Sequence, residues 1–140
     1  MATEGQERNL ALVREGFDAY TRGDIEAVLA LTDPAVEVHM PRSMPNGGTY
    51  RGHDGYLLWL GNWLEAWEDF TVEIAESEPV GERHVVSRAS QSGKGRGSGV
   101  TVEMEVFYVN EIVDGKFTLL HLYPDREQAM RVAAEREAAE

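Results

Sequence analysis

Cysteine is absent from this chain of 140 residues. Disulfide bonds, thiolate metal ligands and cysteine nucleophiles are therefore excluded. Long apolar runs are absent as well, since no stretch reaches the length of about 18 apolar residues that a membrane-spanning helix needs. The first nine residues are polar and acidic, without the apolar segment of a secretory signal. We expect a cytoplasmic protein.

Positive charge is scarce in this sequence. The chain has 13 Lys and Arg residues against 25 Asp and Glu residues, which gives a formal net charge of −12 at pH 7. A surface of this sign repels the phosphate groups of nucleic acids and of anionic lipids. We therefore expect no nucleic-acid partner and no membrane partner, and we attribute the acidity to solubility.

The remaining composition is that of an ordinary globular protein. Apolar residues make up 42% of the chain and charged residues 27%, both close to the usual proportions. A chain of this length is the common size of one domain and can bury roughly two-thirds of its unfolded surface. We predict a single domain over residues 1–140, with a core from about 10 to 125 and a C-terminal helix from about 125 to 137.

The first third of the chain has helical periodicity. Leu10, Val13, Phe17 and Tyr20 recur at steps of three and four, which predicts one apolar helix face. A second, short helix follows Gly23, and a third helix is predicted from Gly52 to about Trp67. The third helix carries an aromatic stripe, made of Tyr56, Trp59, Leu60, Trp63 and Trp67.

The rest of the chain alternates with period two, as strands do. A short strand is predicted at residues 36–39, before the third helix. Longer strands are predicted after it, at about 71–78, 83–92, 100–112 and 116–123, and a flexible glycine-rich loop at 93–99. Helices that precede a meander of antiparallel strands predict an α+β fold.

Five segments, in their order and spacing, resemble one known family. They are Arg22-Gly23-Asp24-Ile25-Glu26-Ala27, Val36-Glu37-Val38-His39, Tyr50-Arg51-Gly52, Val85-Val86-Ser87-Arg88 and Val113-Asp114-Gly115-Lys116-Phe117. Together they resemble the SnoaL-like branch of the nuclear transport factor 2-like, or ketosteroid isomerase-like, superfamily, over residues 10–125.

The resemblance implies a fold and a cavity. It implies a cone-shaped, curved antiparallel sheet closed by the N-terminal helices, the α+β roll also called cystatin-like. Such cones enclose an apolar pocket. Members of the superfamily include polyketide cyclases, steroid isomerases, dehydratases, epoxide hydrolases and non-catalytic binders, so function must be argued from the site.

The isomerase branch uses a carboxylate base, together with a tyrosine and a neutral carboxylic acid that bind the oxyanion. By resemblance, the tyrosine position falls on Gly16, the base position on Val38 or His39, and the acid position near Phe107 or Tyr108. The isomerase groups are therefore not matched. His39 is the one candidate base, since an imidazole titrates near neutral pH.

The SnoaL-type cyclases use an aspartate on the last strand and a histidine on the strand before it. By resemblance these positions fall on Leu122 and near Tyr108, and a slip of one residue brings His121 to the site instead. Because leucine cannot transfer a proton, aspartate-driven cyclase chemistry is not expected. His39 and Tyr108 remain the catalytic candidates.

Alternation along the last two strands identifies the side chains that face the interior. Tyr108 and Asn110 share a face with apolar residues of the strand predicted at 100–112, and the resemblance turns Leu120 and Leu122 of the last strand inward. Tyr108 is either a core tyrosine with its hydroxyl bonded to backbone or a ligand contact. His121 then faces outward.

The candidate ligand-binding residues combine an aromatic surface with a few polar groups. The aromatic stripe is either plain core or a flat surface for a ring-containing ligand. Arg88, a cation in a central strand, either pairs with a glutamate across the sheet or anchors an anionic group. The full set is Phe17, Tyr20, Tyr56, Trp59, Trp63, Arg88, Asn110, Leu120 and Leu122.

Three functions remain open from the sequence. The chain is a binder of a small apolar or ring-containing molecule, a cofactor-free enzyme acting on a cyclic or polyketide-like compound, or an interaction domain. No metal-ligand spacing or nucleotide motif is present, so neither a metal nor another cofactor is expected. A homodimer is predicted through the outer sheet face, on the row Thr101, Glu103, Phe107 and Val109.

Overall fold

The computed structural model describes residues 2–42 and 47–139. The helices among them are α1 (Glu4–Thr21), α2 (Ile25–Ala30), α3 (Gly52–Glu65) and α4 (Arg126–Ala138). None of these helices is long and apolar enough to cross a bilayer. The strands are β1 (Thr32–Met40), β2 (Gly48–Arg51), β3 (Trp67–Val80), β4 (His84–Gly95), β5 (Thr101–Val113) and β6 (Lys116–Tyr123).

Side chains that bond the first free N–H groups set the start of three helices. Thr3 and Gln6 form a reciprocal capping box at α1. Asp24 accepts from the Ala27 N–H at α2, and Asp125 accepts from two N–H groups at the start of α4. Gly23 follows α1 with a φ of 75°, a left-handed conformation that glycine adopts without strain.

The strands form one six-stranded sheet in the order β2-β1-β6-β5-β4-β3. Neighbouring strands are antiparallel except β1 and β6, which are parallel. A tight turn at Asp114 and Gly115, with φ values of 53° and 75°, joins β5 to β6. Register shifts within the β3–β4 and β5–β6 pairs are typical of bulges, which bend a sheet.

The inner face of the sheet holds the main core. Val36, Val38 and Met40 of β1 are fully buried there, beside residues of β5 and β6. Helices α1, α2 and α3 supply the facing side chains, among them the aromatic residues of α3. This is the α+β arrangement with a curved sheet that the sequence predicted.

Helix α4 covers part of the outer face. Phe107 and Val109 of β5 are buried there against Ala129 and Ala133, whose small side chains let the helix approach closely. The row predicted for a contact between subunits includes Phe107 and Val109. Within the chain they already have an apolar partner, so they do not supply the exposed surface on which that prediction was based.

The observed elements differ from the predicted ones in several places. Trp67 begins β3 instead of ending α3, because α3 stops at Glu65. Strand β4 continues to Gly95, since Gly93 and Lys94 pair with β5, so the glycine-rich loop is shorter than predicted. The sheet also contains one parallel pair, because β1 lies beside β6.

Candidate functional site

A cavity of about 80 Å³ lies between the inner sheet face and helices α1, α2 and α3. Its wall is mainly apolar and aromatic. The lining residues are Val13, Gly16, Phe17, Tyr20, Val28, Thr32, Val36, Tyr56, Trp59, Leu60, Trp63, Phe70, Gln91, Tyr108, Asn110, Phe117, Leu120 and Leu122.

Helix α3 forms one side of the cavity with three aromatic residues. Tyr56, Trp59 and Trp63 recur at steps of three and four, so they lie on one helix face, and all three are buried. The rings of Tyr56 and Trp59 meet edge to face at 5.6 Å, and those of Trp63 and Phe70 at 5.8 Å. These edge-to-face contacts favour fixed orientations of the aromatic rings in the wall.

Helix α1 forms another side of the cavity. Phe17 packs edge to face against Tyr108, with ring centroids 5.2 Å apart. One residue earlier, Gly16 leaves room for the Phe117 ring, because a Cβ atom at position 16 would lie 3.1 Å from Phe117 Cε2. Gly16, Phe17 and Phe117 are half-buried, so this part of the wall lies near solvent.

A pair of buried polar side chains stands out in this apolar wall. Gln91 of β4 donates a hydrogen bond from Nε2 to the hydroxyl oxygen of Tyr108 on β5. Gln91 is 3% exposed and Tyr108 is 6% exposed. The carbonyl oxygen of Gln91 has no hydrogen-bond partner among the described residues, and the same holds for the indole nitrogen of Trp59.

Thr32 and Asn110 are two further polar residues of the wall. The Thr32 hydroxyl donates to the Val28 carbonyl over 2.7 Å and is therefore already committed. Asn110 contributes a second buried amide, 7% exposed.

Three phenols are the titratable groups on the described wall. Burial raises the pKa of Tyr20 to about 12. Burial, together with the neighbouring Tyr20, also raises the pKa of Tyr56 and of Tyr108, while the hydrogen bond from Gln91 opposes the rise at Tyr108. All three are therefore neutral at physiological pH, where they act as hydrogen-bond donors and acceptors and not as bases.

His39 lies on the other side of the sheet from the cavity. Its neighbours Val38 and Met40 point inward, and alternation turns His39 to the outer face. There its Nδ1 lies 3.3 Å from the Thr49 hydroxyl, and its ring is 4.9 Å from that of His121. The prediction of His39 as a base of the cavity is corrected by this placement.

His121 also faces outward, as expected from alternation. It is buried beside Tyr123, whose hydroxyl lies 3.1 Å from its Nδ1. Burial first, and then the charges of His39 and Arg136, lower the pKa of His121 to about 4, although Glu37 opposes this. His121 is therefore neutral near pH 7 and lies outside the cavity.

Arg88 is the second predicted site residue that lies elsewhere. It pairs across the outer face with Glu76 over 3.2 Å and with Glu105 over 3.1 Å. Strand alternation places its neighbours Ala89 and Ser87 inward, so Arg88 cannot reach a ligand in the cavity. Of the two roles predicted for Arg88, the ion pair with a glutamate across the sheet is the one observed.

Nine of the eleven residues proposed from the sequence line the cavity. The nine are Phe17, Tyr20, Tyr56, Trp59, Trp63, Tyr108, Asn110, Leu120 and Leu122, and their role in binding stays a prediction. Gln91 was missed, although it is an inward position of β4. Among the described residues, no group of three His, Cys, Asp or Glu side chains lies close enough together to hold a metal.

The chain is similar to one protein family and to several solved structures. A family model described as "SnoaL-like domain" matches residues 13–120. No curated protein matches the chain. A nuclear transport factor 2-like protein from Burkholderia thailandensis E264 shares 26% identity, with a TM-score of 0.72 over 96% of this chain and 98% of that one.

Two further solved structures have the same fold. A protein described as a putative SnoaL-like polyketide cyclase, from Jannaschia sp. CCS1, is 15% identical, with a TM-score of 0.77 over 96% of each chain. TerC, co-crystallised with polyporic acid, is 23% identical, with a TM-score of 0.75 over 91% of this chain and 98% of that one. At these identities the likeness concerns the fold.

Proposed function

The chain belongs to the SnoaL-like family, and from that premise we propose that it binds a small, uncharged, single-ring molecule in the cavity between α1, α3 and the inner sheet face. The wall supplies flat aromatic surface on two sides and a few neutral polar groups. Cavities of this composition are the usual sites for small organic ligands.

The observation that carries the proposal is the chemistry of the wall. Among the described residues, its titratable groups are three tyrosines, and neither a carboxylate nor an imidazole lines it. Proton abstraction needs a base within hydrogen-bond reach or one water away. Leu122 occupies the position at which the resemblance expects the cyclase aspartate, and it lies on the wall. Binding without catalysis is the function that these groups support best.

The volume of the cavity limits the size of the ligand. A dry cavity of about 150 Å³ takes up benzene, and this cavity measures about 80 Å³. To bind a single ring, a wall side chain must move slightly, or the ring must extend into the half-buried region near Phe17 and Phe117. A ligand with several fused rings would need a much larger rearrangement of a close-packed core.

The related structures agree with a cyclic ligand. TerC was co-crystallised with polyporic acid, and the Jannaschia protein is described as a putative polyketide cyclase. These descriptions concern those proteins, at low identity to this chain. They support a cyclic ligand, whereas its size and its lack of charge are argued from the cavity wall.

A second candidate function, a cofactor-free enzyme, is favoured by one observation. The neutral Tyr108 hydroxyl is buried in the wall and its proton is free to donate, so it could polarise a carbonyl group of a cyclic substrate. This reading needs a proton acceptor that is supplied by the substrate or by water. Turnover of a cyclic ketone that is lost in Tyr108→Phe would favour it over the binder.

Titration with toluene tests the proposed binding, because toluene is an uncharged ring without hydrogen-bonding groups. We expect a saturable change in tryptophan fluorescence, since Trp59 and Trp63 line the cavity. Val28→Phe, which fills the cavity, should abolish the change. Val113→Phe, the same substitution at an exposed valine outside the wall, should leave it intact.

Two results would contradict the proposal. One is the absence of saturable toluene binding, and the other is equal binding by the wild type and Val28→Phe. Circular dichroism establishes that each variant is folded. If Val28→Phe does not fold, Leu120→Phe fills the same cavity from the sheet side with a smaller change in volume.

We also propose a homodimer, through a smaller part of the outer sheet face than the row predicted from the sequence. Helix α4 covers Phe107 and Val109, so a second copy would contact the part of the outer face around Thr101 and Glu103, which is exposed. The family resemblance and this exposed row support this surface. Light scattering at high protein concentration that gives a mass near 15.6 kDa would contradict a dimer.

A further inference from the structure

We infer that the hydrogen-bonded pair of Gln91 and Tyr108 selects ligands in which one neutral group both donates and accepts a hydrogen bond, such as a phenol, a lactam, a primary amide or an enol. The inference rests on the proposed function, since it concerns the same cavity. It adds the chemical group that the ligand carries and names Gln91 as a residue that determines specificity.

The first step of the argument is the inventory of hydrogen-bonding atoms. The Tyr108 oxygen accepts from Gln91 Nε2, so the hydroxyl proton of Tyr108 is not used within the pair. The carbonyl oxygen of Gln91 is buried and has no partner among the described residues. The pair therefore has at least one free donor, the Tyr108 hydroxyl, and at least one free acceptor, the Gln91 carbonyl oxygen, on adjacent side chains of the cavity wall; the second N–H of Gln91 Nε2 is a further donor.

This balance does not depend on the orientation of the Gln91 amide. If the amide is turned over, the Tyr108 hydroxyl donates to the carbonyl oxygen, and the amide N–H group becomes the free donor. The free acceptor is then the second lone pair of the Tyr108 oxygen. In both orientations a hydroxyl bonded to a carboxamide presents at least one free donor and at least one free acceptor to a ligand.

Burial makes this complementarity selective. Gln91 and Tyr108 are 3% and 6% exposed, so water competes poorly for their free atoms. A ligand that only accepts leaves one of the two buried atoms unpaired, and an apolar ligand leaves both. Sites that hold buried polar groups discriminate strongly against analogues that cannot pair with them.

The same wall disfavours charged ligands. Its titratable phenols are neutral, and no Lys or Arg side chain is among its lining residues. A carboxylate would lose its hydration without gaining a counter-charge. The cation that the sequence suggested for this task, Arg88, is held by Glu76 and Glu105 on the outer face.

Calorimetric titration with four matched probes tests the inference. Phenol donates and accepts, anisole only accepts, toluene does neither, and benzoate is charged. We expect phenol to bind the wild type about ten-fold more tightly than anisole, the change that one additional buried hydrogen bond produces, and more tightly still than toluene, which pairs with neither atom. Benzoate should not bind.

Two variants assign the selectivity to the pair. In Gln91→Met and in Tyr108→Phe, the affinity for phenol should fall about ten-fold, which removes its preference over anisole. Gln128→Met, a matched change on α4 away from the cavity, should keep the preference for phenol. The variants act at different positions, so a failure of one to fold leaves the other as the test.

The outcomes separate this inference from the proposed function. If all three neutral probes bind the wild type equally, or anisole binds as tightly as phenol, the inference is overturned while the cavity remains a binding site. If a preference for phenol persists in both Gln91→Met and Tyr108→Phe, the pair does not determine it, and the inference is overturned as well. If no probe binds, the proposed function itself fails.

Discussion

The hydrogen bond between Gln91 and Tyr108 should stabilise the fold as well as select the ligand. Tyr108→Phe keeps the aromatic ring against Phe17 but leaves both polar atoms of the Gln91 amide without a partner. Gln91→Met keeps a side chain of similar length but leaves the Tyr108 hydroxyl unpaired. A buried polar group left without its partner costs about 1–3 kcal/mol.

The double variant should cost less than the sum of the single ones. When Gln91→Met and Tyr108→Phe are combined, no polar atom of the pair remains to be left unsatisfied, and replacing both partners by apolar groups of similar shape is often nearly neutral. We expect a coupling energy of about 1–2 kcal/mol between the two positions, within the range observed for residues in contact.

Urea unfolding of the wild type, the two single variants and the double variant measures this coupling. Tryptophan fluorescence reports on the core, and linear extrapolation gives the free energy of unfolding. Each 1 kcal/mol corresponds to a shift of about 3–5 °C in Tm for a chain of this size. Changes that add within about 0.5 kcal/mol would show that the two side chains are not coupled, and the account of the polar pair would then be wrong.

Three further predictions concern charged groups outside the cavity. The pKa of His121 is about 4 in the folded protein against an ordinary 6.5, so its contribution to stability is present above pH 6.5 and is lost as the pH falls towards 4. The loss is on the order of 1–2 kcal/mol after allowance for solvent screening, and urea unfolding of His121→Gln should show a weaker dependence on pH in that window. Glu137 joins α4 to His84 Nδ1 over 2.5 Å and to the Glu82 N–H over 3.0 Å. Burial favours a raised pKa for Glu137, but these bonds and the charges of His84 and Arg83 outweigh it and lower the pKa. The stability that Glu137 contributes is thus present above its ordinary 4.5 and is lost on acidification below it. Glu137→Gln should cost about 1–2 kcal/mol at pH 7 and little at pH 3, and an equal cost at both pH values would refute this. Arg88→Met should leave both toluene and phenol affinity unchanged by calorimetry, and a loss of affinity would place Arg88 in the site after all.

The residues of the cavity wall could be predicted from the sequence where the apolar residues recur with a regular period. The aromatic residues of α3 and the Tyr108 row of β5 follow one period over a full element, so their shared face could be identified. The face of His39 could not, because the predicted strand covered only residues 36–39. In the structure β1 runs from Thr32 to Met40, and its alternation turns His39 outward.

Periodicity alone could not identify Gln91 as an inward residue or α4 as the helix that covers Phe107. The inward positions of β4 around Gln91 are Ser87, Ala89 and Gly93, which are small or polar and do not identify an interior face. Helix α4 buries only two alanines, so its pattern did not predict a packing face for Phe107. In both cases the tertiary neighbour decides burial, and that neighbour is distant in sequence.

Nuclear Overhauser contacts between phenol and the methyl groups of the protein report directly whether phenol occupies the cavity. We predict contacts from the phenol ring to the methyl groups of Val36, Leu120 and Leu122, which line the cavity, and their loss in Val28→Phe. Contacts confined to Leu10 and Ile74, in the groove between α1 and β3, would show that phenol binds elsewhere and would contradict the account.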